Sequence, residues 1–123
     1  MNNFWRVQLT GMAEVDLISI KIWTTENFGA PQAAKYLKAI GSALEDLMLG
    51  PRPMGSISRE DIGPNIRSLH MQRKGYKGRH LLVFKEAKNQ TIEVLRLFHD
   101  SMDLTHHSLE SKIDSSDSFT LPS

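Results

Sequence analysis

The chain has 123 residues, no cysteine and a formal net charge of +1. That length suits one domain with a real core and leaves no room for two. Zero cysteines exclude disulfides and thiolate chemistry and agree with a reducing cytoplasm. No apolar run approaches the roughly 20 residues needed to span a bilayer, and the start, MNNFWRVQLT, lacks the basic and apolar blocks of a secretion signal.

Residues 4–9 alternate, with Trp5, Val7 and Leu9 on one side and Arg6 and Gln8 on the other, which predicts a half-buried strand. Thr10 then offers an N-cap, and Glu14 and Asp16 place negative charge in the first turns of a helix. Ala13, Leu17, Ile20 and Trp23–Thr24 follow at helical spacing, with Val15, Ile18 and Ile22 widening the apolar face. Trp5 and Trp23 are both expected in the core. Gly29 closes this helix and Pro31 opens a second, whose stripe of Ala33, Leu37, Ile40, Leu44 and Leu47 stops at Gly50-Pro51. So short a connection predicts an antiparallel helical hairpin.

A loop rich in Pro and Gly covers residues 50–65. Three strands are expected after it, over residues 66–71, 81–84 and 91–98, the second apolar on both faces and therefore central. Residues 87–90 make the tight turn between the last two, and the basic segment 73–79 connects the first two. The order β-α-α-β-β-β, with helices grouped on one face of a small, largely antiparallel sheet, defines an α+β domain. It is expected to span residues 1–109. Residues 110–123, rich in Ser and Asp, read as a disordered tail.

Charge is distributed unevenly. Residues 52–88 hold nine Lys or Arg against three acids, whereas residues 100–123 hold one Lys against five acids. A basic middle and an acidic end point to an anionic partner for one surface, or to an ordinary solvated face. Within the basic sector, Arg73, Lys74, Lys77 and Arg79 form a loop that reads as a solvated hairpin tip or as an electrostatic steering patch.

The most informative stretch is IEVLRLFHDSMDLTHH, residues 92–107, where a strand runs out into a turn carrying Arg96, His99, Met102 and Asp103. Strand ends feeding loops are where scaffolds place binding and chemistry. An Arg96–Asp103 ion pair pinning the turn, with His99 capping it, is the plain structural expectation, and Met102 and Leu104 would dock the turn on the core. His70, His106 and His107 lack a further ligand at metal spacing, so no metal is expected. No Gly-rich phosphate loop follows a strand, and no cofactor is implied.

Taken in order, VQLTGMAEVDLISIKIW, FGAPQAAKYLKAIGSALEDLMLGPRPMG, IRSLHM, GRHLLVFK and IEVLRLFHDSMD resemble the ParE/RelE superfamily of toxins from bacterial toxin–antitoxin operons, over residues 4–109. The Arg96-x-x-His99-x-x-Met102-Asp103 ending is similar to the ParE-like, plasmid-stabilisation branch. The resemblance implies a toxin neutralised by a cognate antitoxin, as a homodimer or a toxin–antitoxin hetero-oligomer, and two possible activities. ParE-like members are thought to poison DNA gyrase by protein contact, with no catalytic residue. RelE-like members cut mRNA on the ribosome by acid–base catalysis.

For such a nuclease His99 would transfer protons, Arg79 and His80, helped by Lys77 and Arg73, would serve the phosphate, and Tyr76 would stack on a base. The near-neutral balance and Asp100 beside His99 oppose an RNA substrate, whose affinity rests on phosphate contacts. The ParE-like reading therefore leads, and the closing hairpin is expected to present a recognition surface. An open cationic hollow around His99, lined by Arg79 and Lys77, is what the nuclease reading requires.

Overall fold

Thr10 converts the first strand into the first helix. Its hydroxyl accepts from the Ala13 amide at 3.1 Å and donates to the Leu95 carbonyl at 2.9 Å, so one side chain caps the helix and ties it to the last strand. The computed structural model describes residues 3–101. Its elements run β1 (Arg6–Leu9), α1 (Gly11–Phe28), α2 (Ala30–Leu47), β2 (Ile57–Ser58), β3 (Ile66–His70), β4 (His80–Ala87) and β5 (Thr91–His99).

The expected β-α-α-β-β-β order is present with one addition. The short strand β2, inside the loop read from the sequence, pairs antiparallel with β3 through Ile57↔Ser68 and Ser58↔Arg67. Two residues are too few to carry a periodic signal. The sheet order is β1-β5-β4-β3-β2; β1 lies parallel to β5 and every other pairing is antiparallel.

The helical hairpin depends on Gly29. Its backbone sits at φ 90°, ψ 163°, a conformation open only to glycine, and its amide closes α1 on the Thr25 carbonyl at 2.9 Å. Pro31, in the first turn of α2, needs no amide partner there. The main core lies between helices and sheet: Ala13, Ile20, Ile40, Ala43 and Leu47 pack on Leu69, Leu82, Phe84, Ile92, Val94 and Leu97. A smaller cluster of Ile62, Ile66, Val83 and Phe98, joined by Leu81 and Leu95, covers the other face.

Two core expectations are corrected. Trp5 packs at the edge of the main core, but Trp23 is 46% exposed, and Ile18 and Ile22 also point outward. α1 is apolar around most of its circumference, so helical spacing alone could not say which stripe faces the sheet. The buried stripe is Ala13, Asp16, Ser19, Ile20 and Thr24, which carries a carboxylate.

An irregularity in β5 sets up the site. Val83 pairs with Arg96 but Phe84 pairs with Val94, which leaves Leu95 as the extra residue of a β-bulge. The bulge changes the phase of the strand. Ile92 and Val94 face the helices before it, and Leu97 and His99 face them after it.

Candidate functional site

Beyond Leu9, which lies opposite Val94, β5 has no strand on its β1 side among the described residues. Side chains complete that edge: Thr10 accepts nothing from it but donates to the Leu95 carbonyl, and the Asp16 carboxylate accepts the Leu97 amide at 3.0 Å. Asp16 also receives Arg96, with Nε at 2.7 Å and Nη2 at 2.9 Å, and both side chains are almost fully buried. The guanidinium carbon lies 4.7 Å from the centre of the Phe98 ring. Arg96 is thus bound to Asp16, eighty positions earlier, and holds α1 to the sheet; the expected Arg96–Asp103 pair involves a residue that is not described. Asp103 and Met102 fall outside the described residues.

Past this pair, α1, the start of α2 and the ends of β4 and β5 enclose a cleft of about 710 Å³. Ile20, Trp23 and Phe28 form its apolar wall, with the Trp23 and Phe28 rings edge-to-face at 5.6 Å. Tyr36, Lys77, Arg79, His80, His99 and Ser101 form the opposite, polar side. Register explains the histidines. His80 and His99 are direct partners at the end of the β4–β5 ladder, and their rings meet edge-to-face at 5.3 Å.

The protonation of this group follows from its contacts. Burial lowers the His80 pKa from its ordinary value to about 4, with the neighbouring His99 pushing the same way. Burial raises the Tyr36 hydroxyl to about 12. Tyr36 therefore keeps its proton at neutral pH and donates it to His80 Nδ1 at 2.7 Å, leaving the His80 proton on Nε2. Gly78 is what lets the Tyr36 ring approach. A Cβ there would stand 2.6 Å from Tyr36 Cε1 and 2.8 Å from Met71 Cβ. His99 is more open; its Nδ1 accepts from the Ser101 amide at 3.2 Å and lies 2.7 Å from the Ser101 hydroxyl.

Asp100 settles the charge at the rim. Its carboxylate receives Arg79 Nε at 3.0 Å and His70 Nε2 at 2.9 Å, and the His70 hydrogen bond, followed by Arg79, holds its pKa below the usual carboxylate range. The Gln72 amide donates to His70 Nδ1, which leaves Nε2 to carry the proton toward Asp100. Arg79 is thus matched by an anion, and Lys77 is the lining cation without an ion-pair partner among the described residues.

The four basic residues of segment 73–79 separate. Lys77 and Arg79 reach the cleft, whereas Arg73 and Lys74 both clamp Asp46 near the end of α2, with Lys74 Nζ at 2.7 Å. Arg73 departs from the reading of a solvated or steering tip, since it is largely buried in its ion pair with Asp46, whereas Lys74 stays exposed beside it. The expectation of a surface without a hollow is also revised, because His99, Arg79 and Lys77 do share one. Its charge is mostly compensated and its helix side is apolar. Tyr36, Asp16 and Gly78 escaped the sequence reading. A carboxylate within the stripe Ala13–Asp16–Ile20 was the available signal for Asp16.

Among the described residues no helix is long and apolar enough to cross a membrane, and no group of three His, Asp or Glu could hold a metal ion.

The profile of the ParE toxin of the type II toxin–antitoxin system parDE matches residues 7–104. The chain belongs to the ParE toxin family. Toxin ParE1 of Mycobacterium tuberculosis, from two strains, is 30% identical over 101 residues, covering 80% of this chain and 93% of the relative. A solved structure described as a chromosomal ParDE toxin–antitoxin system from P. aeruginosa superposes with a TM-score of 0.61 at 21% identity, covering 79% of this chain and 97% of that one. That likeness concerns the fold. Membership of the ParE family implies a cognate antitoxin as partner.

Proposed function

We propose that this ParE-family chain arrests growth by binding and inhibiting DNA gyrase through protein contact, with no bond broken by the toxin itself. What supports the reading is that the groups a nuclease would use are engaged elsewhere. Arg73 is paired with Asp46, Arg79 is neutralised by Asp100, and His80 is held neutral with its Nδ1 taken by Tyr36. Acid–base cleavage needs a free proton donor and acceptor and an uncompensated cation for the phosphorane. Of those, His99 and Lys77 remain. The apolar wall of Ile20, Trp23 and Phe28 suits contact with a protein. The test is purified protein in a gyrase supercoiling assay. Inhibition is expected, and undisturbed supercoiling at a large molar excess would remove the reading.

One observation favours a second reading, ribosome-dependent mRNA cleavage: His99 and His80 stand together in a hollow with Lys77 and Arg79 at its rim. It requires cleavage of message on programmed ribosomes that is lost in His99→Ala and Arg79→Ala.

A further inference from the structure

We propose that the outer face of α1 is a self-association surface, on which a second copy of this chain docks with its own α1 antiparallel to the first. α1 is the exception in the layer that covers the sheet. The outward positions of α2 are polar, with Gln32, Lys35, Lys38 and Glu45 exposed. On α1 the side opposite the buried stripe Ala13–Asp16–Ile20–Thr24 carries Ile18 at 57% and Ile22 at 50% exposure, with Val15 half-buried beside them. A helix that is apolar around its circumference is a helix covered on both sides. The sheet covers one of them.

The pattern of this face says what covers the other. Gly11, Val15, Ile18, Ile22 and Thr25 recur at alternating steps of four and three, the spacing of a seam between two helices. Glu14 and Lys21 form a lane along one edge of that seam. Both are exposed, and neither has an ion-pair partner among the described residues. They stand two turns apart, about 10 Å along the axis, too far to pair within one helix. They also lie equally far on either side of Leu17–Ile18. A two-fold axis crossing the helix there, in the plane of the contact, brings Glu14 of each copy level with Lys21 of the other, so one contact closes two ion pairs. The same operation lays the Val15–Ile22 edge along its own counterpart, with Ile18 beside the axis. A parallel arrangement would instead lay the Glu14–Lys21 lane on the apolar edge of the second copy, where charge would be covered without a partner. The face is self-complementary in charge and in polarity, which an isologous contact requires.

Sedimentation equilibrium of the full-length chain tests this, and a dimer is the expected result for the parent. Glu14→Lys and Lys21→Glu, each alone, set like charges opposite one another twice and are expected to raise the dimer dissociation constant about tenfold. The double exchange Glu14→Lys/Lys21→Glu is expected to return it to the parent's value, as is an equimolar mixture of the two single variants. Ile18→Glu, beside the axis, is expected to leave a monomer whose circular dichroism matches the parent; the charge variants, which touch no core residue, decide the matter if that chain loses its fold. A parent that stays monomeric at about 100 μM, well above the dissociation constant of a specific dimer, gives the face to another partner and overturns the proposal. So do single reversals that leave the dimer as strong as before, or a double exchange that fails to restore it.

Discussion

Asp16 accepts three hydrogen bonds, two from Arg96 and one from the Leu97 amide, in a place that water hardly reaches. Removing one partner of such a pair leaves an uncompensated buried charge, which costs about 3–5 kcal/mol. Asp16→Ala and Arg96→Ala are each expected to lower the urea midpoint by that order, while a paired apolar replacement at both positions recovers much of it. A lone variant as stable as the parent would mean that the pair does not hold α1 to the sheet. His80 gives the pH dependence. Its folded pKa of about 4 lies below the ordinary 6.5, so between those values the unfolded chain takes up a proton that the folded chain refuses. This contribution to stability is complete above about pH 6.5 and is lost as pH falls toward 4. A His80→Asn variant should show a flatter stability profile across that window in denaturant titrations at several pH values. Asp16 was legible only as a helix-terminal charge, because its partner is remote in sequence. Tyr36 gave no signal at all, since its role depends on a glycine in another loop.

Elements are joined here by a few positions with no tolerance for a side chain. Gly29→Ala forces a Cβ into a region reserved for glycine and should cost about 1–3 kcal/mol, read as a lowered urea midpoint. Gly78→Ala drives a methyl against Tyr36 and the Met71 Cβ, with a cost of about 1–3 kcal/mol from overpacking. It should also raise the His80 pKa by opening the site to water, which histidine titration by NMR would detect. The helices, their hairpin and the three long strands could be read from periodicity and from the Gly29–Pro31 punctuation. The orientation of α1 could not, because Val15, Ile18, Ile22 and Trp23 make its outer face as apolar as its inner one. β2 was too short, and the bulge at Leu95 leaves no compositional mark although it decides that His99 faces the cleft.

For the molecule as a whole, the uneven charge seen in the sequence becomes local compensation. Asp46 holds Arg73 and Lys74, Asp61 holds Arg59, and Asp100 holds Arg79. Four of the nine cations in residues 52–88 are therefore matched by acids, and among the cations lining the cleft Arg79 is compensated while Lys77 has no ion-pair partner among the described residues. The family and the α+β architecture were recognisable from five ordered segments, because those segments carry the core pattern. The target was not, since the residues around His99 serve equally as a rim for contact and as fragments of a catalytic set. The doubly substituted chain His80→Ala/His99→Ala in the gyrase supercoiling assay separates these directly. Inhibition equal to that of the parent protein is the predicted result; a parent that inhibits gyrase and a double variant that does not, with its fold intact, would contradict a toxin acting by contact without chemistry at these histidines.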